Sequence, residues 1–235
     1  MLQGRPKIYG NIFVFGAGRS TGEPTIGGFL GNPNLGLSYL LAARHVIEAG
    51  ARDGQLNEIA LPAAYLQRHA LELELKSWIA SAFRLKDYYD WDNRHGVNPM
   101  ALLADPRTVE LTHNHQELCA HLNAALADVN VGPLPEVVTQ VAGRIVAAEA
   151  EAPERFRYSM VAFGKKAKKK APLKEAFESQ ETIAIVATQN ELERVFEDVF
   201  FFDDGDIPED QQNLATQLGH AIHEMHQILA SNYPS

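Results

Sequence analysis

A single cysteine, Cys119, in a chain of 235 residues excludes an intrachain disulfide and the disulfide-stapled class of small secreted domains. Its neighbours make it a buried helix residue rather than a reactive thiol. No apolar run approaches the ~20 residues that span a bilayer. Arg5 and Lys7 are not followed by a continuous apolar stretch, so a secretory leader is not expected. A reducing, cytoplasmic setting away from membranes is the expectation. Positive charge is scarce as well: 21 Lys and Arg stand against 30 Asp and Glu, a net charge of -9. That excludes a broad basic surface for nucleic acid and leaves only local basic patches. Internal repeats are absent.

Hydrophobic residues make up 46% of the chain, enough for one large core. Residues 8–15 read as a short strand, and the seven glycines between Gly16 and Gly36 make residues 1–35 a Gly-rich arm. Helical spacing begins with Leu37, Leu40, Leu41, Val46 and Ile47 and stops near Gly50 and Gly54. Pro62 suits the first turn of a long helix running to about Leu85. A polar, irregular stretch follows over 86–112. A third helix starts near Asn114, with Thr112 or Asn114 as its cap. Pro133 and Pro135 introduce a fourth. Arg155–Phe163 and Thr182–Thr188 are β-like runs that suggest a hairpin. Leu192–Phe202 and Asp210–Ser231 read as the last helices. The fold class is mainly α: an antiparallel helical bundle over 36–235 with a small β-hairpin insert near 155–188.

The long helix carries the most chemistry. At 100° per residue, Tyr65, Arg68, His69, Glu72 and Lys76 share one arc of roughly 100°. Apolar residues flank it on both sides: Leu66, Ala70 and Leu73 on one, Leu71, Leu75 and Trp78 on the other. Gln67, Glu74 and Ser81 mark a second polar line opposite. A surface helix has one apolar face. Two flanks place this stripe in a groove or seam, although i,i+4 ion pairs alone would also account for the charges.

Other candidates are weaker. Gly16–Gly22 follows a strand-like run, but Thr21 stands where the dinucleotide fingerprint needs glycine and no helix follows. His220, His223 and His226 have helical spacing without a carboxylate or cysteine partner, so no metal is expected, nor any cofactor. Lys165, Lys166, Lys168, Lys169 and Lys170 form a solvated loop or an electrostatic dock for nucleic acid or an acidic partner. Arg107 and His113 have the spacing of an arginine clamp and a histidine proton carrier, a pairing suited to RNA cleavage.

In order, Ser38-Tyr39-Leu40-Leu41-Ala42-Ala43-Arg44, the run Tyr65–Lys76, Thr112–Leu118 and Glu154-Arg155-Phe156-Arg157-Tyr158 resemble uncharacterised bacterial proteins with a HEPN-like domain (higher eukaryotes and prokaryotes nucleotide-binding). The resemblance covers about residues 35–202. It implies an antiparallel bundle, often a homodimer, within phage-defence or toxin–antitoxin systems. Many members of that family are metal-independent RNases with an Arg-x4-6-His motif in a late helix; others are non-catalytic binding modules. Arg107 and His113 are the pair with that spacing here, although they precede the third helix. The leading expectation is a binding or accessory module built on Tyr65, Arg68, His69, Glu72 and Lys76, with a protein or RNA partner. The alternative is an endoribonuclease using Arg107 and His113.

Overall fold

A computed structural model describes residues 8–9, 35–92, 112–148, 160–162, 173–175, 182–202, 213–221 and 224. Five helices have defined bounds: α1 (Leu35–Asp53), α2 (Leu56–Asp92), α3 (His115–Ala127), α4 (Glu136–Ala148) and α5 (Ile185–Asp198). Residues 214–221 are helical too and form α6. The bundle is thus mainly α. No helix among the described residues is long and apolar enough to cross a membrane.

Two short antiparallel strand pairs accompany the helices. β1 (Ile8–Tyr9) pairs with β4 (Phe201–Phe202), and β2 (Met160–Ala162) with β3 (Leu173–Glu175). The expected partnership of Arg155–Phe163 with Thr182–Thr188 is corrected. Ile185 opens α5 instead, because Ile185, Gln189 and Leu192 recur at helical spacing on its buried face.

α1 and α2 form an antiparallel hairpin. The turn between them uses Gly54, whose φ of 71° is cheap only for glycine. Across the hairpin Gly50 meets Ile59, and Gly36 meets Ala70 and Glu74. α5 runs in the same direction as α1, since Leu40 meets Gln189 and Arg44 meets Glu193. So the bundle is not antiparallel throughout.

α2 is the central element, packed against α1, α3 and α5. Its two apolar flanks have the neighbours they implied. Leu71, Leu75 and Ile79 are fully buried, in one core with Leu118, Leu122, Leu126, Phe196 and Phe200. Leu73 is only half-buried, so that flank is shallower than its hydrophobicity suggests. Trp78 stacks near Phe200 and donates its indole N–H to Glu74 at 2.8 Å. Pro62 is not in the first turn, as α2 starts at Leu56. Ala63 and Ala64 are buried in a second cluster with Ile47 and Ile185, and that packing carries the helix through the proline.

The second polar line of α2 is also buried. Gln67 donates to the Ile185 carbonyl at 2.7 Å and to Gln189 Oε1 at 3.1 Å. Gln189 donates to the Leu40 carbonyl and to Glu193, which also pairs with Arg44. A polar seam therefore joins α1, α2 and α5. Glu74, fully buried, lies against the first turn of α1. A carboxylate there complements the positive end of the helix dipole.

That contact sets a prediction. A Cβ on Gly36 would fall 2.4 Å from Glu74 Oε2, 3.0 Å from its Cβ and 3.1 Å from the Ala70 carbonyl oxygen. Gly36→Ala gains about 1 kcal/mol of helix propensity but overpacks at about 1–3 kcal/mol. The melting temperature should fall. A rise would mean that α1 does not approach α2 this closely.

Candidate functional site

The stripe on α2 faces the segment leading into α3. Asn114 caps α3, accepting from the backbone N–H groups of Gln116 at 3.0 Å and Glu117 at 3.2 Å. Thr112 Oγ1 accepts from the Asn114 N–H at 3.0 Å. Both expected capping residues thus fix the turn that holds His113.

Glu72 is the centre. It is 1% exposed, yet gathers cations from three directions. Its Oε1 accepts from Lys76 Nζ and from His113 Nδ1, each at 2.7 Å. Its Oε2 accepts from Arg68 Nη1 at 3.1 Å, and His69 Nδ1 lies 3.8 Å from the same oxygen. Burial alone would raise this carboxyl's pKa. The bonds from Lys76 and His113, with their charges, outweigh it and hold Glu72 below its ordinary 4.5. Against an ionised carboxylate, His113 Nδ1 must carry the hydrogen. Nε2 is then the nitrogen left to meet solvent or a ligand, on a side chain 75% exposed.

Arg68 ties the two segments together. Its Nη2 donates to the His113 carbonyl at 3.2 Å. In return His115 Nε2 donates to the Arg68 carbonyl at 2.9 Å, which fixes the hydrogen on Nε2. His115 is fully buried. Burial is the main cause that pushes its pKa from 6.5 to about 4, so it is neutral at pH 7. The His69 ring stacks with Tyr65 at 5.5 Å between centroids and meets Tyr39 edge-on at 4.7 Å.

The structure thus brings Tyr65, Arg68, His69, Glu72 and Lys76 together and adds His113, which the sequence had paired with Arg107. Arg107 lies outside the described residues. So do Lys165, Lys166, Lys168, Lys169 and Lys170, the glycine-rich loop of Gly16–Gly22, and His223 and His226. His115 was missed, although the sequence carried a signal. Once Asn114 caps the helix, His115, Leu118, Leu122 and Leu126 follow one helical face into the core. Cys119 is buried and its thiol pushed up to about 11 by that burial, which makes it inert. Among the described residues no group of three His, Cys, Asp or Glu side chains is arranged to hold a metal ion.

A separate cavity of about 430 Å³ opens between α2, α4 and the start of α5, with Gln67, Arg68, Val141 and Ile183 in its lining and the Arg144–Glu191 ion pair beside it. Its wall shares Arg68 with the Glu72 cluster.

Chemically, the cluster presents a basic face over a hidden counter-charge. Lys76 and His69 are each about a quarter exposed, and Glu72 is shielded beneath them. Comparison of the chain with protein-family models, with curated proteins and with solved structures returns no match.

Proposed function

We propose that this chain is a HEPN-like helical binding module that takes single-stranded RNA on the cationic face above Glu72. The observation that carries the reading is one buried carboxylate drawing Arg68, Lys76 and His113 into a single cluster. Burying a charge is costly, and a purely structural role is met as well by apolar side chains. What the carboxylate achieves is close spacing of groups that would otherwise repel. Two permanent cations against one anion leave a net positive face in an acidic protein. A homodimer in a bacterial defence or toxin–antitoxin system belongs to the same reading.

The test is anisotropy of a labelled RNA oligonucleotide. Binding should weaken as salt rises. A folded His69→Ala, Lys76→Ala double variant should lose at least tenfold in affinity. Unchanged binding by that variant would end the proposal.

One observation favours a second reading, metal-independent RNA cleavage with His113 as proton carrier. A histidine oriented through Nδ1 by a buried carboxylate is the arrangement that prepares Nε2 for general acid–base work. Arg107 would be the phosphate clamp in this version. RNA incubated with the protein and a chelator should then fragment, and His113→Ala should stop it. RNA left intact by the wild-type protein excludes the nuclease.

A further inference from the structure

The compactness of the Glu72 cluster bears on which phosphate it suits. A grip on a nucleic-acid backbone needs basic groups repeated along a track, one for each phosphate neutralised. Three of the described arginines outside the cluster are already matched: Arg44 with Glu193 at 2.6 Å, Arg52 with Asp53 at 3.1 Å, and Arg144 with Glu191 at 2.5 Å. The cations at Glu72 converge instead. Lys76 Nζ and His113 Nδ1 touch the same carboxylate oxygen, and His69 and Arg68 approach the other. Among the described residues the pattern is a point of positive charge rather than a line.

Charge and donor count then separate two kinds of phosphate. A diester in a backbone carries one negative charge. A terminal monoester carries about -1.5 to -2 at pH 7 and offers three strong acceptor oxygens. Arg68 and Lys76 against Glu72 give +1, with the His69 and His113 imidazoles beside them. Lys76 Nζ keeps two donors beyond its bond to Glu72, and His113 keeps Nε2. Glu72 is 1% exposed, so an incoming anion meets the cations before the carboxylate. The Tyr65 and Tyr39 rings against His69 hold that imidazole in place.

Resting on the RNA-binding reading above, we propose that the cluster is a subsite for one terminal phosphomonoester, so that the module recognises a phosphorylated RNA end through Lys76, His113 and His69. The partner class is narrower than RNA in general: strands left with a phosphate at one end by cleavage or by a kinase.

The experiment compares three RNA oligonucleotides of one sequence, bearing a 5′-phosphate, a 3′-phosphate or hydroxyls at both ends. The wild-type protein should bind one of the phosphorylated strands at least tenfold more tightly than the hydroxyl-ended strand. Inorganic phosphate should erase that preference. Lys76→Met and His113→Gln should each remove most of it in protein shown by circular dichroism to be folded, at some cost in melting temperature because each withdraws a partner from buried Glu72. Equal affinity for all three strands overturns the subsite while leaving RNA binding standing. Failure to bind any of them overturns both. Because the three-strand comparison uses only wild-type protein, it decides the matter even where a variant does not fold.

Discussion

Glu72→Ala should lower the stability of the bundle by about 3 kcal/mol or more. Breaking a buried ion cluster by removing one partner typically costs about 3–5 kcal/mol, because the remaining charge stays uncompensated. The three cations do not suffer equally. His113 is 75% exposed and Lys76 25%, so both reach water once released. Arg68 is 10% exposed and has little freedom to leave. This places the cost near the lower end of the range. Glu72→Gln keeps the volume and a hydrogen-bond acceptor, and should recover part of the loss. Denaturant midpoints of the three proteins supply the measurement. A Glu72→Ala midpoint equal to wild type would mean that the cluster contributes nothing to folding.

The second large effect is with pH. His115 is held neutral in the folded protein, with its pKa at about 4 against 6.5 when unfolded. Between those values the unfolded chain binds a proton that the folded chain refuses, so protons favour unfolding. Stability should therefore fall as pH drops from about 6.5 to about 4, by about 3 kcal/mol from this residue alone. Glu72 acts in the next window. Its folded pKa lies below the ordinary 4.5, so its contribution is complete above that value and is lost as pH falls further. Denaturant titrations at pH 7, 5.5 and 4.5 on wild type and His115→Asn would read the first window. The variant should be less stable at pH 7 but show a flatter profile. Parallel profiles would place the acid sensitivity elsewhere.

Much of the bundle was legible because its helices follow simple spacing. Leu37, Leu40, Leu41, Val46 and Ile47 have helical spacing, and α1 falls within two residues of the span 37–51 that they mark with Gly50 as a stop. Asn114 was legible as a cap because few residues satisfy a helix start so well. Pro62 misled for the opposite reason. A local rule about proline yielded to Ala63 and Ala64 packing against Ile47 and Ile185, which no window of sequence contains. The second half of the strand-like Thr182–Thr188 run, from Ile185, turned helical because Gln189 and Leu192, just beyond it, complete a helical face against α1 and α2.

The site was legible by halves. Periodicity on α2 was enough to align Arg68, His69, Glu72 and Lys76, since neighbours three and four apart must share a face. The bond between Glu72 and His113 joins residues 41 positions apart, and only tertiary structure sets that distance. Sequence spacing instead offered Arg107 as the partner of His113, because spacing registers only what lies close along the chain.

The polar seam of Gln67, Gln189, Glu193 and Arg44 has a consequence for alignment. Leucine faces are forgiving, and a helix can ratchet by one turn, about 5.4 Å, and still bury hydrocarbon. Here such a slip of α2 would carry Gln67 away from the Ile185 carbonyl and from Gln189. A slip of α1 would take the Leu40 carbonyl and Arg44 from their partners on α5. Each misalignment strands buried donors and acceptors at about 1–3 kcal/mol apiece. The seam thus works as a key cut along three rods, admitting one lengthwise setting. The same setting fixes how far along α2 the turn before α3 is met, and so keeps His113 level with Glu72.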